Sequence, residues 1–249
     1  MPAPRSFRRF GIVALALLGA ALLPAGAADR SALAPGEYIT GQGWGTLKIS
    51  ADGSGRQRFE ILTVNVGHYC ELSGTIERGR GLVAADGDLP ACSITLSDNG
   101  EGIDVAMTTP NECKRYCGAN GSFDVDYLKV APECASAGLR RSRDAFKRSY
   151  DGKRYAEALA TLAPVLSRCG RTLSWEDEGD IRNDLAITQY HNGRYRECLA
   201  TLQPYAEEAA LDDTELADSW PPVLLDRRLS IVRPARTNLR LCKRKLGQR

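Results

Sequence analysis

Two stretches decide how this chain is read: RYAEALATLAP, Arg154–Pro164, and RYRECLATLQP, Arg194–Pro204. Eight of the eleven positions are identical, at an offset of 40 residues. Around them Ala, Leu, Arg and Glu dominate and Gly is scarce from about Leu139 onward. A period of this size in helical composition marks stacked helix pairs, because one pair cannot bury its apolar face alone. Pro164 and Pro204 fall within the second helix of each pair and are expected to kink or shorten it. Pro221 to Lys245 reads as a further helix that caps the stack, kinked or split at Pro234.

Upstream the pattern is different. Between Gly36 and Tyr127, apolar residues alternate: Leu47 and Ile49; Cys70, Leu72, Gly74 and Ile76; Cys92, Ile94 and Leu96; Ile103, Val105 and Met107. Period two means strands with one buried face. Asp52-Gly53, Arg78-Gly79, Asp86-Gly87, Asn99-Gly100 and Asn120-Gly121 supply the turns. Asn120-Gly121-Ser122 also matches a glycosylation acceptor but reads here as a hairpin turn. Short strands at this spacing imply an antiparallel barrel or sandwich. The fold class is therefore α+β in two domains: an antiparallel β domain over 28–135 and helix-pair repeats over 136–249.

Residues 1–27 read as an export signal. Arg5, Arg8 and Arg9 precede the apolar run Gly11–Leu23, and Pro24 and Ala25-Gly26-Ala27 follow it. The apolar run is too short for a membrane anchor, which needs ~20 residues. Removing this segment leaves 30 basic and 31 acidic residues. Charge then divides with the fold: residues 28–138 carry 9 basic and 15 acidic residues, and 139–249 carry 21 and 16. Nine basic residues and no acid lie between Arg227 and Arg249. Such a helix either binds an anionic envelope polymer, docks on the acidic β domain, or stays solvated. Nucleic acid is not expected as a partner of an exported chain.

Eight cysteines follow the signal: Cys70, Cys92, Cys113, Cys117, Cys134, Cys169, Cys198 and Cys242. An even count in an exported chain reads as disulfides, placing the protein in the periplasm. Cys113 and Cys117 are the one close pair, so zinc, which usually takes two such pairs, is not expected. Cys70 and Cys92, both inward and near strand starts, are expected to pair. Cys134 is expected to join Cys113 or Cys117, and Cys169 with Cys198 would link two helices.

The second copy, with its flanks NDLAITQYHNGRYRECLATLQPY, resembles a tetratricopeptide repeat. Leu185 and Ala186 match the small and apolar positions of its first helix, and Tyr190 ends that helix. Asn192-Gly193-Arg194-Tyr195 matches the turn; Cys198, Leu202 and Tyr205 match the second helix. The first copy continues through Ala158, Leu162 and Val165, with one extra residue between Gly152 and Tyr155. The resemblance covers about Leu139 to Ala210. The period is 40 rather than the family's 34, and the family's usual Trp and following Pro are absent. The resemblance implies a groove for a protein or peptide, lined by Asn183, Ile187, Tyr190 and His191.

No catalytic residues, cofactor or metal are expected. The chain has two histidines, His68 and His191, and lacks G-x-S-x-G, a Walker loop and H-E-x-x-H. Glu176-Asp177-Glu178 and Asp180 follow Ser174 and read as the acid-rich first turn of a capped helix. The expected function is non-enzymatic protein binding or scaffolding. The alternative is inhibition of a lysozyme-type cell-wall hydrolase through the β domain, by fold analogy with small periplasmic barrels and because such hydrolases are strongly basic.

Overall fold

A computed structural model describes residues 32–247. The export segment expected over 1–27 lies outside them. Eight antiparallel strands form a closed up-and-down barrel: β1 (Gly36–Thr40), β2 (Gly45–Ala51), β3 (Gln57–Asn65), β4 (His68–Glu77), β5 (Arg80–Val83), β6 (Cys92–Asp98), β7 (Gly102–Met107) and β8 (Asp126–Lys129). β1 closes on β8 with Ile39 opposite Leu128. Alternation is strict along most of β3 and β4. Gln57, Phe59, Ile61 and Thr63 of β3 point in, as do Cys70, Leu72, Gly74 and Ile76 of β4. Phe59, Phe123 and Tyr127 fill the interior with Leu47, Ile61, Ile94 and Ile103. A barrel of eight strands is just wide enough for side chains to fill it.

Both barrel ends are covered. At one end Leu33 is buried, and its backbone N–H and C=O both bond the Gln57 amide. At the other lies the chain after β7: a single turn α1 (Pro110–Cys113), a 3-10 turn Lys114–Tyr116, and a loop to β8. Cys92–Cys113 and Cys70–Cys117 fasten this covering segment. All eight cysteines are bonded, but not as expected. Cys70 does not meet Cys92, because β4 is longer than its partner β5. Thr75 faces Leu82 and Val83 faces Cys92, so Cys92 lies level with Gly74, four residues from Cys70. That is about 13 Å along a strand, beyond the ~7 Å Cα reach of a disulfide. Asn120-Gly121 is likewise no hairpin turn; it lies in the covering loop.

The helical half contains α2 (Ser136–Asp151), α3 (Tyr155–Cys169), α4 (Trp175–His191), α5 (Tyr195–Leu202), α6 (Asp213–Ser219) and α7 (Pro222–Lys245). α2 and α3 form one hairpin, α4 and α5 another, and α7 packs on α4 and α5. The two sequence copies turn in the same way. Arg154 N–H donates to Ser149 O at 2.9 Å, and Arg194 N–H donates to Gln189 O at 2.8 Å. The copies align without an insertion: Lys153 takes φ 58° where Gly193 takes 72°. α3 runs unbroken through Pro164, and α7 runs unsplit through Pro234, whereas α5 stops two residues short of Pro204.

The remaining disulfides also correct the expected pairs. Cys134 bonds Cys169, tying the segment that leaves the barrel to the end of α3, and Cys198 bonds Cys242, tying α5 to α7. Residues 32–247 belong to one compact unit. Among the described residues, no helix is long and apolar enough to cross a membrane.

Candidate functional site

The barrel and the helices meet at two 3-10 turns, Gly41–Gly43 after β1 and Gly170–Thr172 after α3. Gly43 sits at φ 66°, and a Cβ there would lie 2.3 Å from the Ser174 nitrogen. Only glycine gives this conformation at no steric cost and lets the backbones approach so closely. Glu37 accepts the Ser136 N–H at 3.0 Å, and Arg171 pairs with Glu101 at 3.4 Å.

Beside this contact runs a groove of about 730 Å³. Its barrel wall is the outer face of β3. Outward residues there change character along the strand, from Arg58 and Glu60 to Leu62 and Val64, and Val66 continues the strip into the β3–β4 turn. Leu62, Val64 and Val66 are 47%, 54% and 51% exposed, so the barrel does not need them for its core. The helical wall comprises Leu173, Trp175, Trp220 and Leu224, and Trp44 lies at the β1–β2 corner. The chain has three tryptophans, and all three line this groove.

The indoles are held in place from behind. Arg228 is buried, with its guanidinium 4.6 Å from the Trp220 ring centre and 5.7 Å from that of Trp175. Arg228 Nε donates to Glu208 at 2.6 Å, and Trp220 Nε1 donates to the same carboxylate at 3.3 Å. One ion pair thus positions two rings, a preorganised apolar wall. Two residues at the groove carry unfavourable backbone: Gln42 at φ 62° and Val66 at φ 46°. For a β-branched residue positive φ is a genuine outlier, and such strain gathers at functional sites.

The groove has a charge sign. Glu176 and Glu178 stand on its helical lip, and no lysine or arginine lines it. Glu178 is held by Arg182 at 2.7 Å; Glu176 has no ion pair among the described residues. The acids after Ser174 are the first turn of α4 as expected, with Ser174 Oγ accepting the Asp177 N–H at 3.0 Å.

The residues predicted to line a groove on α4 lie elsewhere. Asn183 is buried against α7, and its amide donates to Gly179 O and Ile231 O, both at 3.0 Å. It joins two helices and is not open to a partner. Ile187 is half-buried on α4. His191 stacks on Tyr155 of the first copy, with ring centres 4.3 Å apart and planes 9° apart. Tyr190 meets His191 and Tyr195 edge-on or tilted. These aromatics form the seam between the two helix pairs. Nearby, burial pushes the Asp184 carboxyl up to about 6; Asp180 adds to this, and Arg143 and Lys147 oppose it.

The basic helix does not dock on the barrel through its paired arginines. Arg227 pairs with Asp180, Arg228 with Glu208, and Arg233 and Arg236 with Asp213, all within the helical half. Arg240, Lys243, Arg244 and Lys245 have no ion pair among the described residues.

Sequence reading missed the groove. Its walls come from segments as far apart as Trp44 and Leu224. One signal was present: in FEILTVNV, Phe59–Val66, the apolar phase switches from Phe59 and Ile61 to Leu62, Val64 and Val66, so the outward phase turns apolar where a strand face toward water should stay polar. No protein-family model, curated protein or solved structure matches the chain.

Proposed function

We propose that this is an exported, periplasmic, non-enzymatic protein-binding module, and that the groove between barrel and helices is its docking site. One observation carries the reading: all three tryptophans and the exposed aliphatic strip of β3 converge on one groove. Exposed apolar surface joined in a patch marks an interaction site, and tryptophan is enriched among residues that dominate binding energy. The tetratricopeptide-like helix pairs act here as the scaffold that presents Trp175 and Trp220. The four disulfides fit a chain that folds in an oxidising compartment.

The test is capture from envelope extract of the source cell on the immobilised oxidised chain, beside Val64→Asp. Val64 is outward, so the variant folds. The expected result is a stoichiometric protein retained by wild type through moderate salt and lost on the variant. Identical retention by both would refute the docking site. The acidic lip favours a second reading, inhibition of a basic cell-wall hydrolase. That reading predicts inhibition of lysozyme turnover, relieved by Val64→Asp; turnover unchanged by an excess of the chain rejects it. Retention confined to anionic polymer and stripped by moderate salt would instead assign binding to Arg240, Lys243, Arg244 and Lys245.

A further inference from the structure

We infer that the groove selects an apolar peptide segment that carries a lysine or arginine; this rests on the protein-binding reading above. The walls set the first half of the specificity. Leu62, Val64, Val66 and Leu224 offer aliphatic surface, and the indoles of Trp175 and Trp220 offer flat faces. The barrel is closed, and Val64 N–H is already bonded to Trp44 O at 2.8 Å. A partner strand therefore finds no free backbone ladder to extend, and recognition falls to side chains.

The lip sets the second half. Glu176 is a half-buried carboxylate with no ion pair among the described residues, beside two indoles, in a groove that no cation lines. An acidic side chain brought there would meet the Glu176 carboxylate, and no lysine or arginine lines the groove to offset the repulsion. A lysine or arginine would gain both the carboxylate and the ring faces, since the negative face of an indole attracts a cation. Charge complementarity of this kind acts on partner choice more than on total affinity. The buried Arg228 fixes the rings before the partner arrives.

The test is selection from a random dodecamer display library on the oxidised full chain, with parallel selections on Val64→Asp, Leu62→Asp and Glu176→Gln. Intrinsic tryptophan emission reports occupancy directly, because every tryptophan lies at the groove. Peptides that bind wild type but neither aspartate variant are the groove-dependent set. The expected set is rich in aliphatic residues, with Lys and Arg outnumbering Asp and Glu several-fold. Glu176→Gln should abolish that excess while aliphatic enrichment persists. Groove-dependent binders with no basic excess, or an excess that survives Glu176→Gln, would overturn this inference and leave the docking site standing. No groove-dependent binders, together with an extract partner indifferent to Val64→Asp, would overturn both. A shift of tryptophan emission by fatty-acid micelles with no groove-dependent peptide would reassign the groove to acyl chains and also overturn both.

Discussion

Lys153 holds φ 58° at the position where the second copy has Gly193 at 72°. Left-handed backbone costs an ordinary residue ~1–2 kcal/mol, and Lys153 is exposed. Lys153→Gly should therefore raise unfolding stability by about 1 kcal/mol, read as a higher urea midpoint at unchanged slope. A fall in midpoint would mean that the lysine makes a contact the backbone argument omits. Asp184 is the second residue whose chemistry the sequence concealed. Its folded-state value of about 6 lies above the ordinary carboxylate value, because burial disfavours its charge. Below about pH 4 the group is protonated folded or unfolded and costs nothing. Between about 4 and 6 the unfolded chain releases the proton first, so stability falls as pH rises, and the full cost stands above that window. Asp184→Asn should match wild type near pH 3.5 and exceed it by about 2 kcal/mol at pH 7.5 in paired denaturant titrations. Equal stability at pH 7.5 would show that Arg143 and Lys147 cancel the burial. Ser174, by contrast, was legible alone: a serine three residues before an acid at a helix start has one ordinary use.

At the scale of elements, periodicity was reliable and long-range pairing was not. The inward phases of β2, β4, β6 and β7 follow from alternation, which is local. The disulfide map depends on strand offsets and on where the covering segment after β7 crosses, which no local pattern encodes. Cys198 shows the gap. Resemblance placed it at a small, closely packed helix position, where the first copy has Ala158, and it is fully buried there. Its bond to Cys242 depends on α7 folding back 44 residues later. Prolines misled for a related reason: α3 absorbs Pro164, while α5 ends before Pro204, although the two local sequences are nearly the same. Closing a loop of that length is worth about 4 kcal/mol in the chain-entropy account. The double substitution Cys198→Ala, Cys242→Ala should lower stability by about 3–4 kcal/mol and leave far-UV circular dichroism native-like. The barrel's own bonds, Cys70–Cys117 and Cys92–Cys113, should remain intact by peptide mapping. Loss of helical signal at 25 °C would show that the bond carries α7 and does not merely reinforce it.

At the scale of the molecule, the groove exists because barrel and helices dock, and the docking turns on one residue. Composition located the boundary near 135 but gave no sign of the contact across it. Its closest approach is between backbones, at Gly43, Leu173 and Ser174, where side-chain patterns are silent. Gly43→Val introduces a Cβ that would sit 2.3 Å from the Ser174 nitrogen, on a backbone at φ 66° that a β-branched residue resists. Neither half loses a core residue, so both should still fold; what fails is the junction. Wild type should unfold in one transition, with tryptophan emission and far-UV circular dichroism coincident, as a cooperative unit requires. In Gly43→Val the emission change should come first, because every tryptophan lies at the junction, and the circular dichroism should follow at higher denaturant. Binding of any groove ligand should fall at least ten-fold in the same variant, although Gly43 offers a ligand no side chain. Coincident transitions at a lower midpoint, with binding intact, would mean that the turns re-seat and that the groove is shaped by its walls alone.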